Sequence, residues 1–319
     1  MTVEDRGIDY SPILNYFTQK GIAAQWSPLK EHTQEELFRV VEGADAVIAG
    51  VERWDFETMY QVSSHLKIIA RYGIGYETVD IKAAKQLGIV VTNTPVVLSE
   101  AVAELALALY FDLSRFISKS NEQLHNGKWE SPSIGHNIEG KTVGIIGFGA
   151  IGRRFAEILG SYHCRLLAFD PFFNEKEGKR LKVERVSMED LILQSDCISL
   201  HLPTTPATIG LVDKEFLKQM KKTAFLINTS RGALVNEQDL VDALTNGIIA
   251  GAAIDVYREE PLPEKNIFRG TPNLIMTPHI ASATEESFLK AGMLAAESVV
   301  DALEGRIPKH VVKEINGGN

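Results

Sequence analysis

Cysteine is nearly missing from these 319 residues: Cys164 and Cys197 are the only two. Two thiols cannot staple a small extracellular scaffold, so the fold has to rest on an apolar core. Both fall in or beside apolar runs, where a small buried side chain is expected. No apolar run approaches the roughly 18 residues of a membrane span, and no secretory leader precedes the first charged residues, so no membrane is expected. Runs of Lys and Arg are lacking too. With a formal net charge of −9, the chain has no basic footprint for a phosphate backbone, which removes nucleic acid from the expected partners. Low-complexity tracts, short-period repeats and metal-ligand spacings are also lacking, and no metal is expected. What remains is a cytoplasmic enzyme of about two domains.

What the chain does have is a particular arrangement of glycine. Val143 to Ile146 is a short apolar run of the kind a buried parallel strand needs. Gly147, Gly149 and Gly152 follow as G-x-G-x-x-G, and the apolar spacing then turns helical at Ile151, Phe155, Ile158 and Leu159. Gly147 permits the tight turn, Gly149 lets a pyrophosphate approach the backbone, and Gly152 lets helix and strand pack closely. The helix N-terminus, at Ala150 and Ile151, offers amides and a positive dipole end to the phosphates. A second apolar run, Arg165 to Phe169, ends at Asp170, eighteen residues after Gly152. An acid at about that distance grips the ribose hydroxyls of NAD. It would repel the 2′-phosphate of NADP, and no arginine stands beside Pro171-Phe172-Phe173 to accept one.

Around this unit the pattern alternates strand and helix, which implies parallel sheets with helices on both faces. The first nine residues offer only a short or frayed strand. Pro12 to Lys20 reads as a helix, Ile22 to Trp26 as a strand and Gln34 to Glu42 as a helix. Strands are then expected at Ala46–Ala49, Leu66–Ala70 and Ile89–Thr92, with helices at Phe56–Val62 and Asp80–Leu87 between them. Ser99 to His125 reads as one long helix, broken off by Gly127 and Pro132. Beyond the glycine motif come helix Met188–Gln194 and strands at Cys197–Leu200, Thr223–Asn228, Ile248–Ile254 and Leu274–Met276. Asn236 caps a helix over Glu237–Thr245, and Thr284–Leu303 closes the chain as a helix.

Ligands of such sheets gather beyond the carboxyl ends of strands. Arg231, Glu260 and His279 each close a strand or its following loop. Taken singly, Arg231 reads as a helix-start cation, Glu259 and Glu260 as a solvated pair, and His279 as a structural histidine. Taken together they suit reduction of a 2-keto acid. A guanidinium makes two-point contacts with a carboxylate or keto oxygen. An imidazole gives a proton to that oxygen, and a carboxylate on its other nitrogen fixes the tautomer and favours the charged form.

The ordered set of motifs resembles the D-isomer-specific 2-hydroxyacid dehydrogenases, most of all their phosphoglycerate dehydrogenase-like branch. It comprises Arg71-Tyr72-Gly73-Ile74-Gly75, Asn93-Thr94-Pro95, Ser99 to Glu104, the glycine motif with Asp170, Asn228 to Gly232, Asp255-Val256, Glu260-Pro261 and Pro278-His279. The resemblance implies an α/β fold of two doubly wound parallel-sheet domains. A Rossmann NAD-binding domain (99–289) would be inserted in a flavodoxin-like substrate domain (1–98 with 290–319), and a cleft would close between them. It implies Arg231, Glu260 and His279 as the catalytic trio, with His279 the proton donor. NAD would be touched by Ala150, Ile151, Asp170, Thr229, Ser230, Arg231 and Asp255, and by His279 to Ser282, including Ala281. Asp255 would accept from the nicotinamide carboxamide. The substrate would be held by backbone amides of Gly73, Ile74 and Gly75, and by Arg71, Arg231 and His279. A homodimer through the NAD-binding domain is implied as well.

Departures from the branch narrow the expectation. The arginine-containing stretch that reads phosphate is replaced by Val47 to Glu52, leaving Arg53 and Arg71 as candidates. Val96 and Val97 stand where glycine usually follows Asn-Thr-Pro. With no regulatory domain after Asn319, serine feedback is not expected. The substrates to weigh are 3-phosphoglycerate first, then hydroxypyruvate/glycerate or glyoxylate. Formate is disfavoured because the enzymes that use it carry glutamine in place of Glu260. The reading from another class is a non-catalytic NAD(H)-sensing protein.

Overall fold

The computed structural model describes residues 1–5, 7–31, 33–129 and 134–312. The chain forms two compact units, Met1–Leu98 with Ala283–Asn319, and Ser99–Ser282. Pro132 lies outside the described residues.

The first unit opens with α1 (Ser11–Gln19) and α2 (Gln34–Val41). It continues through β1 (Ala46–Ala49), α3 (Phe56–Val62), β2 (Ile68–Arg71), α4 (Ile81–Leu87) and β3 (Val90–Thr92). Three helices begin where a side chain takes an amide three residues on: Thr33, Asp55 and Asp80 accept from Glu36, Thr58 and Ala83. Each such cap stabilises its helix by about 1 kcal/mol. The strands pair in parallel in the order β1-β2-β3.

Ile22–Trp26 is not a strand, and neither is the N-terminal segment. Both nevertheless lie where a flavodoxin-like order needs them. Thr2 N–H donates to Ile48 O beside β1 (3.0 Å), and Ser27 N–H donates to Met1 O (2.9 Å). Isolated bonds of this kind align the chain without building a ladder.

The second unit holds the longer sheet. Its elements are α5 (Ser99–Arg115), α6 (Ile117–His125), β4 (Thr142–Ile146), α7 (Ala150–Gly160), β5 (Arg165–Phe169), α8 (Glu175–Leu181), β6 (Val183–Arg185) and α9 (Met188–Gln194). Then come β7 (Cys197–Leu200), α10 (Lys214–Gln219), β8 (Phe225–Asn228), α11 (Glu237–Thr245), β9 (Gly251–Ile254) and β10 (Leu274–Met276). Seven parallel strands run in the order β10-β9-β8-β7-β4-β5-β6. The order reverses at β4, which has β5 on one side and β7 on the other, so a crevice opens beyond the carboxyl ends of β4 and β7. Alternate residues feed two cores. Ile146, Leu200, Leu226 and Ile254 pack with Leu191, Phe216 and Leu240. Val143, Ile145, Ile227 and Ala253 pack with Ala106, Leu109, Phe155 and Leu159. Both cysteines are free: Cys197 is in the second core, and half-buried Cys164 donates to Ile138 O (3.3 Å).

The expected long helix breaks. Phe116 adopts φ +55 between α5 and α6, and Asp112 accepts from Ser118 N–H (2.8 Å). Ser114 O, which would have closed the next helical turn, instead accepts from His136 N–H (2.9 Å). Apolar periodicity runs through the break, because the bonds that make it come from a polar side chain and a distant segment.

The last helix, α12 (Glu285–Leu303), capped by Thr284, returns to the first unit. A boundary at residue 290 would cut it in two, whereas the division falls before its cap. Gly292 lets α1 pack closely there: a Cβ would lie 2.2 Å from Ile13 Cδ1, which would have to shift. Tyr72 OH donates to Phe288 O (2.5 Å), and the two rings stack at 5.9 Å.

Candidate active site

The glycine turn sits at the carboxyl end of β4. Gly147 has φ +96, and a Cβ on it would lie 2.3 Å from His201 O at the end of β7. A Cβ on Gly152 would lie 2.1 Å from Gly147 O. Those two glycines are therefore required by the protein itself. Gly149 differs: with φ −75 it caps α7, and a Cβ there would meet nothing within 4 Å. Glycine there suits the helix N-cap and leaves open the space an incoming group would use.

Asp170, at the end of neighbouring β5, accepts from Phe148 N–H (2.6 Å) through one oxygen and from Phe172 N–H (2.7 Å) through the other. The carboxylate thus braces the glycine turn while keeping lone pairs for two hydroxyls. The first-turn amides of α7, from Ala150 onward, lack intrahelical partners and suit a pyrophosphate. Further along the same edge, at the end of β8, buried Thr229 Oγ1 has no protein partner. Turn, acid, amides and orphaned hydroxyl fit a dinucleotide.

Sharp turns at the ends of β8, β9 and β10 carry the remaining candidates. Asn228 donates to Arg231 O (2.9 Å) and accepts from Ser230 N–H (3.0 Å). Ser230 Oγ donates to Leu202 O (2.6 Å). A Cβ on Gly232 would lie 2.0 Å from the carbonyl carbon of Tyr257, so glycine lets the Arg231 turn rest on the chain after β9.

Glu260 and His279 meet directly. Glu260 Oε2 lies 2.6 Å from His279 Nδ1, and Oε1 accepts from Tyr257 N–H (2.9 Å). The hydrogen bond that His279 Nδ1–H donates to Glu260 holds the His279 pKa above its ordinary value, against the effect of burial. Burial pushes the Glu260 carboxyl up, but His279, the Tyr257 amide and the Arg231 charge together bring it below the usual range. Arg231 acts on both partners, so the three form one electrostatic group. With Nδ1 on the carboxylate, Nε2 is the nitrogen left to face a reactant.

The Asp255 carboxylate has a task within the protein that the sequence did not announce. It is fully buried, and its oxygens accept from Thr277 Oγ1 (2.6 Å), Ile280 N–H (2.9 Å) and Ala281 N–H (2.8 Å). It holds the turn 277–281 in which His279 adopts φ +54, a left-handed conformation costing on the order of 1–3 kcal/mol. Three bonds to a charged acceptor, each contributing about 1.5–3 kcal/mol, outweigh that strain. Ala281 N–H is likewise taken, and Ser282 closes the unit.

In the first unit, the loop after β2 also departs from expectation. Gly73 N–H donates to Thr94 Oγ1 (2.9 Å) and Arg71 O (3.1 Å), which removes it from the donors available to a substrate. Ile74 and Gly75 remain as the candidate donors. Arg71 folds back onto Tyr72 O and Ala49 O. Arg53 is exposed beside Asp55 (3.5 Å), and the chain after β1 carries a buried Glu52 bonded to Thr2 Oγ1.

Sequence reading missed His201. This buried side chain bonds Ser199 Oγ (2.9 Å) under the glycine turn, and burial lowers its pKa to about 3. Its place after a strand was the available signal. Among the described residues, no group of three His, Cys, Asp or Glu could hold a metal, and no helix is long and apolar enough to cross a membrane.

Comparison with known proteins agrees with this geometry. Residues 107–281 match the family of D-isomer specific 2-hydroxyacid dehydrogenase, NAD binding domain. A glyoxylate reductase of Korarchaeum cryptofilum is 34% identical over 91% of this chain and 89% of its own length. A D-3-phosphoglycerate dehydrogenase of Synechocystis sp. is 37% identical over 86% of this chain, which spans only 49% of that protein. The TT0316 protein of Thermus thermophilus superposes with a TM-score of 0.86 at 34% identity, covering 97% of this chain and 98% of that one. The chain belongs to the D-isomer specific 2-hydroxyacid dehydrogenases, and its cofactor is NAD.

Proposed function

We propose that this enzyme reduces a small, unphosphorylated 2-keto acid of the glyoxylate or hydroxypyruvate kind to the D-2-hydroxy acid. The observation that carries the reading is the 2.6 Å contact between Glu260 and His279 Nδ1, with the Arg231 charge acting on both. NADH, when bound, supplies the hydride. Arg231 holds the keto acid by its carboxylate and carbonyl oxygens, which orients the carbonyl. His279 Nε2 gives its proton to that oxygen as negative charge develops there. Glu260 keeps the ring in place and stabilises the charged form that must be present beforehand. Asp170 holds the ribose hydroxyls, and the amides at Ala150 and Ile151 hold the pyrophosphate.

The charge around the first unit's loops favours an unphosphorylated substrate. Arg53 faces solvent, Arg71 is spent on carbonyls, and Glu52 puts a buried carboxylate after β1. Among similar proteins, the glyoxylate reductase of Korarchaeum cryptofilum matches over 91% of this chain and 89% of its own length. The test is NADH consumption with glyoxylate, hydroxypyruvate, pyruvate and 3-phosphohydroxypyruvate. We expect the first two to show the highest kcat/KM; a preference for the phosphorylated acid would overturn the substrate class. Tight NADH binding without turnover of any of them would return the chain to a sensing role.

A homodimer through unit 99–282 belongs to the same proposal. Ile117, Leu124, Trp129 and Ile134 are all exposed within a short stretch of that unit. Light scattering at micromolar concentration should give twice the chain mass. Two unbonded cysteines suit the reducing cytoplasm.

A further inference from the structure

Tyr257 holds Glu260 directly and reaches the neighbours of Arg231 and His279, yet none of the chemistry above uses its side chain. Its backbone lies against Gly232, next to Arg231. Its amide donates to Glu260 Oε1 (2.9 Å). Its hydroxyl donates to Thr277 O (2.8 Å), the same carbonyl that accepts His279 N–H (3.0 Å). Thr277 is therefore gripped at both ends, its carbonyl by Tyr257 and its own hydroxyl by Asp255.

We propose that Tyr257 is a positioning residue for the reduction, with its amide and hydroxyl setting Glu260 and His279 at the separation where they share a proton. The inference rests on the reading of His279 as proton donor. The amide contribution is available to any residue at this position; the hydroxyl contribution is not, since it needs a rigid side chain that reaches from β9 to the turn after β10. The ring is 8% exposed and packs against Phe268 at 6.3 Å, which fixes its direction. Burial first, then the charges of Asp255 and Glu260 against that of Arg269, push the phenol up to about 12. It therefore stays a donor throughout the working range. The charged groups facing His279 are Glu260, Asp255 and Arg231, and of these only Glu260 is held by Tyr257 directly.

Without the hydroxyl, Thr277 O loses one of its two donors, and the left-handed turn at His279 relaxes away from Glu260. Reduction uses protonated His279, so a weaker contact with Glu260 brings the alkaline fall in rate to lower pH. The experiment is Tyr257→Phe, with kcat expressed per NADH-binding site so that any unfolded protein does not count. Loss of one hydrogen bond should lower kcat about three- to tenfold, with keto-acid KM and NADH affinity within about twofold. The alkaline limb of the kcat/KM profile should move down by a few tenths of a pH unit. In a Glu260→Gln background the same change should cost much less, because the two act through one contact. An unmoved alkaline limb, or an equal loss in both backgrounds, overturns the proposal. Full activity of His279→Asn would instead overturn the underlying reading of the site.

Discussion

Two glycine pairs, each at the carboxyl end of a parallel strand, ended up as different devices. After β4, Gly147 and Gly149 lead straight into α7, and Asp170 from the next strand ties down Phe148. After β2, Gly73 has φ +144, α4 does not begin until Ile81, and the loop is pinned by side chains: Thr94 on Gly73 N–H and Asn93 on Ile74 O (2.8 Å). The first turn gathers helix-end amides for a diffuse double charge. The second leaves two amides for something small. What differs between the two glycine pairs is how soon a helix begins after each and which side chains pin the loop.

The largest expected effect removes the chemistry while sparing both turns. His279→Asn should lower turnover by about 10² to 10⁴ and leave NADH binding intact, measured by steady-state rates and fluorescence titration. Next comes the division of labour inside the first turn. Gly149→Ala should weaken NADH binding by roughly tenfold or more with at most a small drop in melting temperature, since its Cβ meets no protein atom within 4 Å. Gly147→Ala should lower the melting temperature itself, because its Cβ meets backbone at 2.3 Å. Equal melting temperatures for the two variants would refute the distinction.

Glu260→Gln separates charge from shape at the dyad. Glu260 holds the His279 pKa up, so reduction is sustained at low pH and lost as pH rises through that raised value. In the variant the loss should come at lower pH, and oxidation of the hydroxy acid, which needs neutral His279, should begin earlier. The smallest effect is expected at the second turn. Gly73→Ala should raise keto-acid KM several-fold through strain at φ +144, with NADH affinity unchanged. A shift in NADH affinity instead would mean the two loops are not specialised as described.

Much of this was legible in the residues. Four-residue apolar runs such as Ala46–Ala49 and Cys197–Leu200 are strands at their expected bounds, because a strand buried on both faces leaves a continuous signal. Asn236 caps α11, taking Asp239 N–H as its residue type predicts. The glycine turn and Asp170 were readable because spacing alone encodes them. What escaped was carried by bonds between distant positions. The break at Phe116, the failure of Ile22–Trp26 to form a ladder, and the loss of Gly73 as a donor each depend on a partner that no local pattern names. Asp255 is the plainest instance: an acid at a strand end reads as a ligand contact, and no local pattern shows that it also seals the turn 277–281.

That seal has a consequence for how the enzyme fails. The five residues from Thr277 to Ala281 are held by a handful of bonds, three of them to the one Asp255 carboxylate, while the sheet beside them is locked by whole ladders and two cores. On warming, that segment should let go first. Turnover should vanish several degrees below the loss of far-ultraviolet ellipticity and return on prompt cooling; coincident transitions would show that turn and sheet melt as one.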